Sequence, residues 1–302
     1  MKKSKPLVSI IMNCHNGETF LRKAIDSIYA QTYSNWEIIF WDNCSTDNSA
    51  FISKSYDKKI KYHLSNKKTP LGEARNLALK KTIGKYIAFL DCDDLYESKK
   101  LQKQTLFMEG GDYLYCYGSS IIINEKGKEI DRITTNNKSG NIFGNLLENY
   151  NINMQTVMIR RDALNDRSFN TLLTFSPDYN LFMKLASTGR VGVISDHIVR
   201  YRKTNNSLTV NSTYKIYKEN KYTLDHLCSD KKLLKKYNKE FRYAYKKLNY
   251  AKAIYLIEVE DYKGARSAFK QIVSIKFKYR VFYYLLYLPV SKKFLIKKLL
   301  GF

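Results

Sequence analysis

Three carboxylates fall within four residues at Asp91-Cys92-Asp93-Asp94, directly after the uncharged run Tyr86-Ile87-Ala88-Phe89-Leu90. Acids packed this closely repel one another unless a cation lies among them. A strand that carries Asp-x-Asp to its C-terminal end therefore suits a divalent metal and a phosphate, because open α/β sheets bind ligands at that edge. A solvated acidic turn is the plainer reading of the same residues, and the motif alone leaves both open. A further acid, Asp178, follows Ser176-Pro177. Proline needs no donor in a helix's first turn and an acid there meets the positive end of the dipole, so a helix is expected over residues 177–186.

The elements that must hold these residues are legible from hydrophobic period. Residues 7–12 form an unbroken apolar strand, 36–41 a second, 61–64 a weaker third and 86–90 a fourth. Between them, Phe20, Leu21, Ala24, Ile25 and Ile28 mark one helical face, and Ser45 or Thr46 offers an N-cap for another helix. Residues 71–83 read as a further helix, ended by Gly84. Alternating strand and helix predicts an α/β fold, a Rossmann-like, mostly parallel sheet with right-handed crossovers. Its C-terminal edge would collect Asn13 and His15, Asp42 and Asn43, then Asp91 and Asp93. No GxGxxG follows the first strand, so a dinucleotide cofactor is not supported.

Beyond Asp94 the pattern loosens. A helix is expected over 99–108, strands over 113–124 and 155–159, a turn at Glu125-Lys126-Gly127, and short closing strands over 191–194 and 198–201. From Ile216 onward the chain reads as helices, with a helix start at Tyr262-Lys263-Gly264-Ala265-Arg266.

The charge is extreme and uneven. The 302 residues carry a formal net charge of +24, and residues 216–302 hold 21 Lys and Arg against 7 Asp and Glu. No acid follows Asp261. Such a basic segment expects an anionic partner: a membrane surface, a nucleic acid or an anionic substrate. Residues 276–302 mix cations with aromatic and aliphatic runs, as in Phe282-Tyr283-Tyr284-Leu285-Leu286-Tyr287 and Lys292-Lys293-Phe294-Leu295-Ile296. That is the composition of a helix lying in a membrane interface, although a helical core with a solvated basic face has it too. No run approaches the roughly 20 apolar residues of a membrane span. The five cysteines form no CxxC, which argues against a zinc site or disulfide framework and fits a reducing cytoplasm. Cys14, Cys44 and Cys92 each end a strand on the ligand edge; small buried thiols account for them more simply than a metal cluster.

Taken together and in order, six motifs resemble family 2 glycosyltransferases, inverting enzymes of the GT-A fold acting on bacterial cell-surface glycans. They are Val8-Ser9-Ile10-Ile11-Met12 with Asn16; Asp42-Asn43-x-Ser45-Thr46-Asp47; Gly72-Glu73-Ala74-Arg75-Asn76; Phe89-Leu90-Asp91-Cys92-Asp93-Asp94; Pro177-Asp178-Tyr179-x-Leu181; and Tyr201-Arg202. The resemblance implies that Asn13, His15, Asp42, Asn43, Arg75 and Asp91 bind the donor nucleotide. It implies that Asp91 and Asp93 hold Mn2+ or Mg2+ on the donor diphosphate, Asp93 more directly, with Asp94 supporting them or merely entering a helix. It makes Asp178 the general base for the acceptor hydroxyl. His15 could equally be a loop histidine without a task, and Arg75 one half of a surface ion pair.

Three departures from the family pattern stand out. Pro177 occupies a position where Glu is common. A histidine often found after Tyr-Arg is replaced by Lys203-Thr204-Asn205-Asn206, which leaves Arg202 or Lys203 to reach the diphosphate. Asn43 replaces a frequent second Asp, so the base is not read.

The expectation is thus a GT-A domain over 1–215 and a basic helical domain over 216–302 suited to membrane association. The enzyme would move a sugar from a nucleotide-sugar donor to a glycan or lipid-linked acceptor, peripherally at the inner face of the cell membrane, against an anionic surface. A nucleotidyltransferase is the rival enzyme, but the turn at 13–17 lacks a glycine-rich phosphate loop. A nucleic-acid-binding protein is the rival from another class; the basic third shows no recognised motif, and no nucleic acid is expected.

Overall fold

A computed structural model describes residues 5–165, 167–204, 213–275, 277–288, 291 and 294–295. The chain divides into two compact units, one of residues 1–146 with 150–205, the other of residues 147–149 with 206–302.

The first unit is built on a nine-stranded sheet. Its parallel half comprises β1 (Val8–Cys14), β2 (Trp36–Asp42), β3 (Ile60–Leu64) and β4 (Tyr86–Phe89), ordered β3-β2-β1-β4. β1, β2 and β4 are buried on both faces apart from a partly exposed Asn13, which is why their sequences are continuous apolar runs rather than alternating ones. The crossover helices are α1 (Glu18–Tyr29), α2 (Ser49–Lys54) and α3 (Leu71–Leu79). α1 buries Leu21, Ala24, Ile25 and Ile28 against the sheet, the face the sequence marks.

Past β4 the sheet becomes mixed. β5 (Leu95–Tyr96), α4 (Lys100–Glu109), β6 (Tyr115–Ile123), β7 (Glu129–Ile133), α5 (Phe143–Glu148), β8 (Met158–Arg160), α6 (Arg161–Leu164), α7 (Pro177–Ala186) and β9 (Val191–Arg202) follow in turn. β8 runs antiparallel to β4 and β6, and β5 antiparallel to β9, while β6 and β9 are parallel. The sheet therefore continues from β4 through β8, β6 and β9 to β5.

Four local expectations are revised. The helix expected over 71–83 stops at Leu79, and Gly84 is not its cap: a Cβ there would lie 2.6 Å from the Ser9 nitrogen and 2.7 Å from the Leu7 oxygen, so glycine lets the chain pass against β1. Neither Ser45 nor Thr46 caps α2; Asn48 precedes it, and the Ser49 N–H is received by Asp47. The two closing strands are one, β9, whose pairing with β6 shifts register near Ser119 and leaves Ser195 and Asp196 exposed. Strand β8 begins at Met158, because Met154–Thr156 form a 3-10 turn capped by the Asn153 side chain. The turn at Glu125-Lys126-Gly127 is as expected, with Gly127 at φ 84°.

The second unit is helical: α8 (Thr213–Cys228), α9 (Lys231–Lys236), α10 (Asn238–Glu258), α11 (Tyr262–Lys270) and α12 (Phe277–Leu285). Asp261 caps α11 by accepting from the Gly264 N–H, and Asp230 caps α9. Its core gathers Ala253, Ile257, Ala265, Phe269, Phe282 and neighbouring apolar residues. Among the described residues no helix is long and apolar enough to cross a membrane. Lys276, residues 289–290 and most of the basic run expected to lie in an interface, as well as Asn205 and Asn206, fall outside the described residues.

Candidate functional site

Parallel register fixes the edge. Asn13 is opposite Trp41, Cys14 opposite Asp42, and Ile11 opposite Phe89, so the turns after β1, β2 and β4 open side by side. The first two turns are laced together. The Asn16 N–H donates to Ser45 Oγ at 3.1 Å, the Thr46 N–H to Asn16 Oδ1 at 2.8 Å, and the Gly17 N–H to Ser49 Oγ at 2.9 Å. Asn16 and Cys44 both adopt the left-handed backbone, at φ 57° and 63°, which makes these turns abrupt.

Asp42 lies on this edge but faces inward. It is fully buried, with Oδ1 accepting from the Ser45 N–H at 2.7 Å and Oδ2 from the Tyr62 hydroxyl at 2.7 Å. Asn43 pins the loop before α3: its Nδ2 donates to the Thr69 carbonyl at 2.8 Å and its Oδ1 accepts from the Thr69 N–H at 3.0 Å. Both side chains thus fix the turns they sit in rather than present free polar atoms. Asn13 differs, since its Nδ2 is buried without a hydrogen-bond partner. His15 is exposed; Lys68 Nζ donates to Nε2 at 2.8 Å, which leaves the ring proton on Nδ1 to be donated to the Asn43 carbonyl at 3.1 Å.

The acids after β4 are held unequally. The Asp91 N–H donates to Gln155 Oε1 at 3.0 Å, and Gln155 Nε2 donates back to Asp91 Oδ2. On its other oxygen Asp91 faces Arg75 Nη2 at 3.7 Å. Asp93 has no such clamp. Burial, and then the neighbouring Asp91, push its carboxyl up to about 6. Asp94 is fully buried, accepts from the Arg202 N–H at 2.7 Å, and has its pKa driven well above the usual range by burial and then by Asp93 and Asp91. It ties the acidic turn to the end of β9, and its Oδ2 is buried without a hydrogen-bond partner.

Arg202 is held behind the acidic turn. Its guanidinium is buried, donating to the carbonyls of Asp93, Asn124 and Glu125 at 2.8, 3.0 and 3.1 Å, and it packs over the Phe20 ring. These bonds occupy Nε and Nη1, so this part of the guanidinium braces the turn from behind.

Asp178 sits in the first turn of α7, where Pro177 opens the helix as expected. Burial raises its pKa, with Arg75 pulling the other way. Arg75 is itself buried, so one guanidinium serves both Asp91 and Asp178. The rest of its motif explains how it is placed. Asn76 exchanges two hydrogen bonds with the Phe169 backbone, at 2.8 and 2.9 Å, and a Cβ on Gly72 would meet the Asn170 carbonyl at 3.2 Å. Beside Asp178, Tyr150 packs edge-on against Tyr179 at 4.8 Å and buries a hydroxyl with no partner.

A hard cation fits the acidic turn. Asp93 is a half-buried carboxylate destabilised by a like charge, and Arg75 balances Asp91 rather than Asp93. Among the described residues no three His, Cys, Asp or Glu side chains converge, so the chain offers two carboxylates and the remaining ligands would be donor phosphates or water. Two of the three thiols meet: Cys14 and Cys92 are hydrogen-bonded to each other beside Gly17, whereas Cys44 turns to the Ser65 carbonyl at 3.2 Å.

Gln155 and Tyr150 were not marked by the sequence. A buried Gln in a 3-10 turn has no periodic signature, and its partner lies 64 residues away. The Asn153 cap was the one local clue that the chain turns there instead of continuing as a strand.

Comparison with known proteins gives this edge a family. The profile described as Glycosyl transferase family 2 matches residues 9–168. The chain is 33% identical over 213 residues to the UDP-Glc:alpha-D-GlcNAc-diphosphoundecaprenol beta-1,3-glucosyltransferase WfgD of Escherichia coli, covering 68% of this chain and 80% of that one. It spans about a third of the length of the Rickettsia felis and Rickettsia conorii glycosyltransferases it matches at 34% identity, 33% and 32% of them respectively. Its fold is that of Staphylococcus aureus TarS 1–349, solved with UDP-GlcNAc (TM-score 0.67, 17% identity, 97% of this chain and 88% of that one). It is shared also with the mannosyltransferase PcManGT of Pyrobaculum calidifontis, solved with GDP-Man and Mn2+ (TM-score 0.62, 14% identity, 94% and 85%). The sheet edge, the acidic turn and the matched profile place the chain in glycosyl transferase family 2.

Proposed function

We propose that the chain is an inverting glycosyltransferase that moves a hexose from a uridine diphosphate sugar to a hydroxyl of a lipid-linked, cell-surface glycan acceptor. The observation that carries this reading is that the buried Arg75 acts on both Asp91, at 3.7 Å, and Asp178 in the first turn of α7, with Asp93 next to Asp91 on the sheet edge. The name of WfgD, a UDP-Glc transferase acting on a diphosphoundecaprenol acceptor, and the UDP-GlcNAc complex of TarS support the donor and acceptor class.

In this reading Asn13 uses its unpartnered Nδ2 on the base, and His15 lines the nucleoside side, with Asp42 and Asn43 as the floor beneath it. Asp91 meets the nucleotide, and Asp93 with Asp91 would hold Mn2+ or Mg2+, which would supply charge stabilisation for a nucleoside diphosphate leaving group. Asp178 accepts the proton of the acceptor hydroxyl as that oxygen bonds to the anomeric carbon and the carbon–diphosphate bond breaks, which inverts the centre. Burial raises the Asp178 pKa and so makes it a stronger base than a solvated carboxylate, while the Arg75 charge opposes that rise. The basic helical unit would bring the enzyme to the inner, anionic face of the membrane where such acceptors reside.

Thermal stabilisation by a panel of nucleoside diphosphates, with and without Mn2+, tests the reading on wild type and Asp93→Ala. UDP with metal is expected to stabilise the wild type by about 2.7 kcal/mol at a hundredfold excess over Kd, and the variant to lose the metal-dependent part. Folded wild type that responds to no nucleotide would sink the proposal.

A further inference from the structure

α12 is apolar on two sides, whereas a helix packed on one side needs only one apolar face. Tyr279, Phe282 and Leu286 are buried in the core of the second unit. On the opposite side Phe277 is 78% exposed, Val281 39%, Tyr284 61% and, just past the helix, Leu288 59%. Steps of four, three and four residues stack these side chains into one stripe. Lys278 and Arg280, both exposed, fall on either side of it at 100° per residue.

An apolar stripe rimmed by cations marks a contact surface. Its occupant must be apolar in the middle and anionic at the margins. A second copy fits poorly, because a two-fold contact through the stripe would set the cationic margins of one copy, Lys278 and Arg280, against those of the other. An anionic bilayer interface fits, with acyl chains under the stripe and headgroup phosphates beside the cations. The sequence continues the same bias, with ten Lys and Arg and no Asp or Glu after Asp261. We propose that the Phe277–Val281–Tyr284–Leu288 face of α12 docks onto an anionic lipid surface. This deepens the reading of the basic unit as the membrane-facing part of the enzyme and is independent of the transfer chemistry.

Flotation of the full chain with vesicles of phosphatidylcholine, alone or mixed with phosphatidylglycerol, tests it against Phe277→Ser/Tyr284→Ser, which leaves the buried face of α12 intact. Wild type is expected to float with the anionic vesicles, less so at high salt, and the double variant to bind at least about ten-fold more weakly, since each large side chain withdrawn from water is worth roughly a decade. Circular dichroism and UDP stabilisation should be unchanged in the variant, and the latter reports the transferase reading separately. Equal flotation of the two proteins would overturn the proposal. So would wild-type dimerisation in lipid-free buffer that the double variant abolishes.

Discussion

Gln155 grips Asp91 at two points, receiving its N–H and donating to its carboxylate, so the first acid of the turn has a fixed direction before any ligand arrives. Partners that orient a metal-binding group are typically worth about 10- to 100-fold in affinity. Gln155→Glu is nearly isosteric and keeps the acceptor for the Asp91 N–H, but sets a carboxylate against a carboxylate. Its expected signature is a Mn2+ requirement for UDP stabilisation raised roughly ten-fold, with little change in the melting temperature of the free protein; an unchanged requirement would reduce Gln155 to packing.

Lys100 tests burial by itself. Among the described residues its ammonium has no acid partner in range and meets Gln104 Oε1 at 2.6 Å and the Tyr96 ring, and burial lowers its pKa from 10.5 to about 7. Between pH 7 and 10.5 the unfolded chain holds this proton and the folded chain does not, so the group's contribution rises with pH across that window, by up to about 1.4 kcal/mol per unit. Wild type should therefore gain on Lys100→Met between pH 7 and 9.5 in parallel melts, and parallel curves would show that Lys100 finds a counter-charge.

At this scale the sequence was legible where chemistry is concentrated locally, as in Asp91-x-Asp93 and Pro177-Asp178. The Arg202 brace was not legible, because the carbonyls that take its Nε and Nη1 donors belong to residues 77 to 109 positions away.

Among the elements, the doubly buried strands were the easiest to read, since continuous apolar runs leave few other conformations that hide them. Helix ends were harder. Leu71, Ala74 and Ala78 carry the helical period, but α3 ends at Leu79 with Lys80 as its cap, and the residues up to Gly84 instead bring the chain back against β1. Period predicts which face is buried; where the helix must stop is set by the distance back to the sheet. β7 illustrates the other limit. All five residues are exposed, so no burial pattern announces a strand whose existence depends on pairing with β6. β9 was read as two pieces because Ser195 and Asp196 interrupt its apolar run, although the register shift against β6 carries the pairing across them.

For the whole molecule, fold class followed from strand–helix alternation and the family from six ordered motifs, but the net charge of +24 is a property that no motif explains. Its consequence is self-repulsion. The ion pairs that might offset it are mostly exposed, among them Lys85–Glu109, Lys103–Asp196 and Lys221–Asp225, and such pairs are individually worth about 0–1 kcal/mol. Repulsion among unpaired cations acts over longer distances than these contacts, so it is the more strongly relieved when the Debye length shrinks from about 30 Å at 0.01 M salt to about 3 Å at 1 M. The melting temperature of the full chain should therefore rise by several degrees as sodium chloride increases over that range, without nucleotide or metal. A fall would mean that the few acidic partners, and not the excess of cations, dominate the electrostatics of the fold.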